Sequence, residues 1–215
     1  MDLIQSVTPV RGRICVELDT GEKFWLLRND AASLSLREGE EIDTEAFRQV
    51  VLRLQYPSAL NKAVAMLARR ACSRGEIEKK LKQTLYHAET IEMVLYKLEK
   101  EKLLNDQEFT EQWVQHRSHQ KMGAGRIYRE LRAKGISEED ARDALSNLDE
   151  EDQLEQAAAL AQKVFLRSKP GEDRRKTMQR AIAALSRRGY SWDLAREACR
   201  KVMDELDEDD SDFDD

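Results

Sequence analysis

Arg126, Arg129 and Arg132 stand three residues apart, and at about 100° of rotation per helical residue they gather on one face of a helix. Guanidinium groups grip phosphate or carboxylate oxygens through charge-assisted, often bidentate hydrogen bonds. The chemistry such a row supports is recognition of an anionic partner, not bond breaking. Ile127 and Leu131 fall on the opposite face. A charged outer face is also what any soluble helix needs, so both readings stand. In two similar stretches the corresponding positions hold Glu76, Lys79 and Lys82, and Arg180, Ala183 and Ser186; only the central stretch is wholly basic. Further bases cluster where helices should turn: Arg69, Arg70 and Arg74; Lys121 and Lys134; Arg174, Arg175 and Lys176; Arg187 and Arg188. The candidate contacts are therefore Arg69, Arg70, Arg74, Arg126, Arg129, Arg132, Lys134, Arg187 and Arg188. No constellation of Asn, Gln and Arg suited to reading base edges accompanies them.

Enzymatic motifs are missing. The chain has no GxxxxGK[ST] loop, no GxGxxG after a strand, no HExxH and no GxSxG. Cys15, Cys72 and Cys199 are far apart without CxxC spacing, which suggests buried thiols and neither a disulfide framework nor a zinc cluster. His87, His116 and His119 lack partners at metal-ligand spacing. The expectation is a protein without catalytic residues, cofactor or metal.

The element that must carry the arginine row is a short helix ending at Gly135, followed by Ile136 and a second helix opened by Ser137 with Asp140, in the manner of a capping box. This helix, corner, helix unit recurs. With Leu131 aligned to Leu81 and Leu185, the positions Ile127, Ile77 and Ala181 coincide, as do Ala141, Ile91 and Ala195. Leu145, Leu95 and Cys199 follow, then Leu148, Leu98 and Val202, with no gap needed. Gly135 and Gly189 share the corner position, where the first copy has Leu85. A period of about 50 residues points to stacked helical modules, each too small to bury its apolar face alone.

The remaining segments fit around these modules. Residues 3 to 27 read as the β region; within it Ile14, Val16 and Leu18 alternate with Arg13, Cys15 and Glu17, turn at Asp19 to Glu22 and continue through Lys23 to Leu27, which predicts a small hairpin. Arg11 and Arg13 in it serve nucleic-acid contact, packing or partner contact. Leu36 to Ile42 reads as a connecting turn, and Phe47, Val50, Val51 and Leu54 have helical spacing. Pro57 is expected to break the chain, with Ser58 capping the next helix, and Ser73 to Gly75 to form a turn. Trp113 suits a core anchor better than a base-stacking platform. Asp149 to Asp152 caps the third module electrostatically, and Lys169 to Gly171 ends its first helix.

These boundaries give residues 1–56 as a β-hairpin plus helix, 57–105, 106–150 and 151–206 as three-helix repeats, and 207–215 as an acidic disordered tail. The fold class is mainly α, an elongated and curved array of three repeats behind a small β region. Asp204 to Asp215 holds nine acids and no base, so 33 of the 42 acids face all 36 bases in the remainder, a balance of +3. The tail either solubilises the chain or competes within the molecule for a basic groove. No apolar run approaches the length that spans a bilayer, and no basic region followed by a hydrophobic core opens the chain, so a cytoplasmic protein is expected.

Three segments resemble the RecX family, bacterial modulators of the RecA recombinase. They are Ala68-Arg-Arg-Ala-Cys-Ser-Arg-Gly-Glu-Ile-Glu-Lys-Lys-Leu81, Leu103-Leu-Asn-Asp-Gln-Glu-Phe109 with Trp113, Val114 and Arg117, and Gly125-Arg-Ile-Tyr-Arg-Glu-Leu-Arg-Ala-Lys-Gly-Ile136. They occur in the family's order and spacing and cover the first two repeats; the third repeat matches more weakly. The resemblance implies three tandem three-helix repeats lodged in the groove of a RecA nucleoprotein filament. It implies limits on filament growth, ATP hydrolysis, strand exchange and co-protease activity, hence a place in DNA recombination, DNA repair and the SOS response. No chemistry of its own is implied. Weak, salt-sensitive DNA binding and a monomer are expected. The alternative is a helix-turn-helix-like DNA-binding protein acting without a recombinase.

Overall fold

The computed structural model describes residues 1–168 and 172–211. The first elements are strands β1 (Asp2–Val10), β2 (Arg13–Leu18) and β3 (Lys23–Leu27), helix α1 (Arg28–Leu34), strand β4 (Glu41–Ile42) and helix α2 (Thr44–Leu67). Eight helices follow: α3 (Arg74–Gln83), α4 (Ala88–Lys100), α5 (Asp106–His119), α6 (Ala124–Ala133), α7 (Glu138–Ser146), α8 (Glu150–Phe165), α9 (Arg174–Arg188) and α10 (Trp192–Ser211). The chain divides into two compact units, the first Met1–Asn105 and the second beginning at Asp106.

In the first unit the expected hairpin is part of a larger sheet. Four antiparallel strands lie in the order β3-β2-β1-β4. The expected β region at residues 3–27 includes β1, which the sequence pattern does not mark as a separate strand because its burial is irregular, with only Ile4 fully buried and a bulge between Ile4 and Ser6. The segment expected to be a simple turn at residues 36–42 contributes β4, which pairs Asp2 with Ile42. Helix α1, which has no clear period, covers the sheet with Ala31. Ile4, Val16, Leu18, Phe24, Leu26, Phe47 and Val51 form one core there.

The expected break at Pro57 does not occur, since α2 runs unbroken from Thr44 to Leu67. Proline removes the hydrogen bond to the carbonyl four residues earlier, here that of Arg53, but Arg53 and Pro57 are both exposed, so water can take the bond's place. Burial on the other side holds the helix straight through. Its first half packs Phe47 and Val51 on the sheet, and its second half packs Ala59 and Ala63 into the first repeat. Ser58 caps nothing; its hydroxyl donates back to the Gln55 carbonyl at 3.1 Å and meets the Tyr86 hydroxyl at 3.0 Å. Gly75 likewise lies inside α3, whose N-cap is Ser73, with a complete capping box to Glu76.

The three repeats are α2's second half with α3 and α4, then α5 to α7, then α8 to α10. Their corners have one design. Tyr86, Ile136 and Tyr190 each donate their backbone N–H to the carbonyl five residues earlier, of Leu81, Leu131 and Leu185, and each side chain folds back into its core. The residue before each has positive φ: +62° at Leu85, +84° at Gly135 and +94° at Gly189. All fifteen aligned apolar positions lie in the cores, fully buried except Leu145 and Leu148, which are half-buried. Helix α10 continues to Ser211, five residues beyond Leu206, and the expected stop at 169–171 and the end of the expected tail at 212–215 lie outside the described residues.

Candidate functional site

The central helix α6 has Ile127 and Leu131 fully buried, while Arg129 and Arg132 are exposed and Arg126 is half-buried. Its three arginines differ in what holds them. Arg126 donates from Nε to Glu130 at 3.1 Å. Arg129 Nε donates to the Gly125 carbonyl at 3.1 Å, one turn back on its own helix. Arg132 reaches forward to the carbonyl of Ile136. The intervening Glu130 is gripped on its other side by Arg117, with contacts of 2.6 and 2.5 Å. The Arg117 hydrogen bonds hold the Glu130 carboxyl below the usual carboxylate range, against a burial effect that opposes them. The row is therefore not a free basic arc: Arg126 belongs partly to an internal Arg117–Glu130–Arg126 network.

Lys134 is also engaged, with its ammonium 4.0 Å from the centre of the Trp113 ring. Arg117 stands 5.3 Å from the same ring, and Phe109 stacks on it. Trp113 thus anchors the repeat, its faces covered by the chain's own groups. In the first unit, Arg70 makes a two-pronged pair with Glu76 at 3.1 and 3.0 Å, and Arg74 bridges Glu92 and Glu99 at 2.5 and 3.0 Å. Arg69 is exposed at the end of α2 and forms no ion pair among the described residues. Arg13, considered for nucleic acid, is buried with its guanidinium 4.1 Å above the Tyr86 ring, so it packs the sheet onto the first repeat.

The second unit brings its second and third repeats together through backbone. The N-terminus of α6 docks against the corner between α9 and α10. Gly123 N–H donates to the Arg188 carbonyl and Gly125 N–H to the Gly189 carbonyl, each at 3.0 Å. A β-carbon on Gly123 would lie 2.3 Å from the Tyr190 nitrogen, and one on Gly189 would lie 2.3 Å from the Arg126 nitrogen. Two of the four orphan amides of this helix start are satisfied by a neighbouring repeat's turn, an approach that glycine at 123 and 189 permits. The sequence reading used Gly189 as a helix stop and saw nothing in Gly123 and Gly125; two glycines flanking a helix start were the available signal.

This junction decides which candidates meet. Arg126, Arg129 and Arg187 line one open depression of about 330 Å³, with Glu130 and Ala133. Arg188 turns away from it, toward the Gln120 and Lys121 carbonyls at 3.4 and 3.5 Å. Arg132 and Lys134 do not line it. Of the third repeat's other bases, Arg174 pairs with Asp207 of α10 at 2.5 Å, so part of the acidic C-terminal segment already meets a basic corner.

On the other side of Arg129 lies a larger open cleft of about 990 Å³. Leu145, Leu148, Leu154 and Leu194 supply its apolar lining. Glu150, Glu151, Asp193 and Glu197 are exposed around it, and none of the four forms an ion pair among the described residues. Gln153 and Tyr190 also line it, both 5 % exposed, and Gln153 Nε2 and the Tyr190 hydroxyl have no hydrogen-bond partner among the described residues. Burial pushes the Tyr190 phenol up to about 12, with nearby Arg188 opposing. The Cys199 thiol is pushed up to about 11 by burial alone, which leaves it a core side chain and not a nucleophile. The three cysteines are buried and unbridged, and no cluster of metal-ligating side chains occurs among the described residues.

Known proteins match this chain along its repeats. Models of RecX domains match in order: the first three-helix domain over residues 59–98, the second over 105–145 and the third over 150–199. The regulatory protein RecX of Corynebacterium efficiens is 33% identical over 196 residues, covering 86% of this chain and 87% of its own. That of Bacillus subtilis (strain 168) is 30% identical over 198 residues, covering 92% and 75%. A crystal structure of a regulatory protein RecX superposes with a TM-score of 0.62 at 26% identity, over 95% of this chain and 100% of that one. RecX from Lactobacillus salivarius gives 0.63 at 26% identity, over 68% of this chain and 96% of that one. With three domain models in sequence and relatives aligned over most of both chains, this protein belongs to the RecX family.

Proposed function

We propose that this chain regulates a RecA recombinase as an inhibitor, lodging in the groove of the RecA–DNA filament and limiting filament growth, ATP hydrolysis, strand exchange and co-protease activity. Family membership supports RecA as the partner. The observation that carries the rest is the glycine-sealed junction of the second and third repeats, which holds Arg126, Arg129 and Arg187 around one depression open to an anionic partner group. Arg129 and Arg187 have no ion-pair partner among the described residues and can meet carboxylates or phosphates without breaking an internal pair. The same charge pattern disfavours tight binding to bare DNA. Bases such as Arg70, Arg74 and Arg117 are already spent on internal carboxylates, so few remain to neutralise phosphates. On this reading the protein acts in the cytoplasm as a monomer and performs no chemistry itself; among the described residues no helix is long and apolar enough to cross a membrane.

The test compares binding to single-stranded DNA, duplex DNA and preformed RecA filaments in one buffer across a salt series. Filament binding should be strongest, and bare-DNA binding should fall steeply with salt, by a slope of about 0.9 per phosphate contacted on duplex. Tight duplex binding that persists at high salt, with no filament preference, would instead establish an independent DNA-binding protein.

A further inference from the structure

The acidic cleft beside Arg129 plays no part in gripping phosphate, and its composition calls for a different occupant. Helix first turns favour acids, which accounts for Glu150, Glu151 and Asp193 near the starts of α8 and α10. It does not account for Glu197, which lies beyond the first turn of α10. It also leaves the apolar lining unexplained. Leu145 and Leu148 are the only two of the fifteen aligned repeat positions that are not fully buried; their counterparts Leu95, Leu98, Cys199 and Val202 are sealed in their cores. The second repeat therefore keeps open, toward this cleft, a surface that the other two repeats close.

Two buried polar groups define what the cleft lacks. Among the described residues, Gln153 Nε2 is a donor without an acceptor, and the Tyr190 hydroxyl is a donor or acceptor without either. Groups this buried normally find partners. A bare metal ion or a simple ammonium ion offers no acceptor to Gln153, and phosphate is repelled by four unpaired carboxylates. A polypeptide segment supplies both needs: main-chain carbonyls for the buried donors, and a basic side chain whose aliphatic stem covers the leucines while its head meets the carboxylates.

We propose that this cleft, formed by α7, α8 and the α9–α10 corner, is a docking site for an arginine-bearing polypeptide segment of the protein partner. The proposal deepens the regulatory reading and rests on it for the partner. Because Arg129 lines both the acidic cleft and the neighbouring basic depression, the second unit presents two adjoining recesses of opposite charge. A surface of that kind matches a protein face of alternating charge and mismatches the uniform charge of naked DNA.

Two measurements on the full chain test it. In the first, acetyl-Gly-Arg-Gly-amide is titrated while backbone amide resonances are followed, with the citrulline peptide as the neutral counterpart. Saturable shifts at Gly125, Gln153 and Leu194 with the arginine peptide, and at least about tenfold weaker ones with citrulline, are expected. Equal responses to both peptides, or arginine responses confined to the acidic C-terminal segment, would overturn the site. In the second, Glu151→Gln/Glu197→Gln is compared with wild type for binding to preformed RecA filaments. The expected loss is about tenfold, with the circular dichroism spectrum unchanged; undiminished binding by the folded variant would overturn the docking proposal. If wild type itself fails to bind filaments, the regulatory reading fails, and the peptide titration still decides whether the cleft takes arginine.

Discussion

Both units of this chain seal a three-helix repeat to a neighbour, and they do so with opposite means. In the first unit the seal is made by side chains. Gln55, only 1 % exposed, donates to the Trp25 carbonyl of β3 and accepts from His87 N–H at 2.8 Å and the Thr90 hydroxyl at 3.1 Å, tying sheet, α2 and α4 at one point. Arg13 laid over Tyr86 adds a second tie. In the second unit the seal is made by backbone, Gly123 and Gly125 against Arg188 and Gly189, with no room for a β-carbon on Gly123 or Gly189. A side-chain seal can be weakened by degrees because its atoms have freedom to readjust. A backbone seal accepts no such adjustment, and it sets the register of two recesses that lie on either side of Arg129.

The difference between the two seals should show most strongly at Gly189. Gly189→Ala adds a β-carbon 2.3 Å from a backbone nitrogen at a φ of +94°, so it should cost about 3 kcal/mol or more. Hydrogen exchange should increase in peptides from the second unit and stay unchanged in those before Asn105. The equivalent first-repeat residue, Leu85, tolerates a side chain at φ +62°, and Leu85→Gly should alter stability by less than about 1 kcal/mol, relief of backbone strain offsetting lost burial. Similar losses at both corners would remove the distinction between the two seals.

Next in size is Gln55→Ala. It strands a buried carbonyl, an amide N–H and a hydroxyl, and should cost about 2 to 3 kcal/mol in chemical denaturation. The exchange increase should appear in the first unit, in β3 and α4. A loss below about 0.5 kcal/mol would mean that water or the neighbouring side chains replace it.

A smaller effect is expected at Glu130→Gln, about 1 to 2 kcal/mol, because the Arg117 pair is four-fifths buried and Arg126 only partly so. Its pH dependence has a definite sign. The folded-state carboxyl titrates below the unfolded value of about 4.3, so the wild-type advantage is complete above that pH and disappears as pH falls through the depressed value. A gap between wild type and variant that stays constant from neutral pH down to about pH 3 would contradict the network.

How much of this was legible beforehand depended on whether a feature repeats or is solitary. Ile77, Leu81 and their counterparts were readable because three copies carry the same spacing, and the corner at Leu85 could be placed by alignment although its residue departs from glycine. The sheet was read as a hairpin because β1 alternates poorly around its bulge and β4 has only two residues. Pro57 misled because a local rule yielded to burial on both halves of α2. Among candidate site residues, the bases were visible but their internal partners were not: Glu130, Glu76, Glu92 and Glu99 lie up to 25 residues away in sequence from the arginines they occupy. The acidic cleft escaped notice because Asp149 to Asp152 suffices as a helix cap when read alone, and only the fold brings Glu197 and Tyr190 beside it.

The proposed regulation depends on contact between the recess-bearing face of the second unit and the recombinase filament. It is tested most directly by Arg129→Glu/Arg187→Glu, which spares the Arg126–Glu130 pair. RecA ATPase on single-stranded DNA is measured against increasing amounts of each protein. Both positions are exposed, so the fold should change by no more than about 0.5 kcal/mol per site. Wild type should lower the ATPase, and the folded double variant should need at least about tenfold more protein for the same effect; equal inhibition by the two would exclude this face from the filament contact.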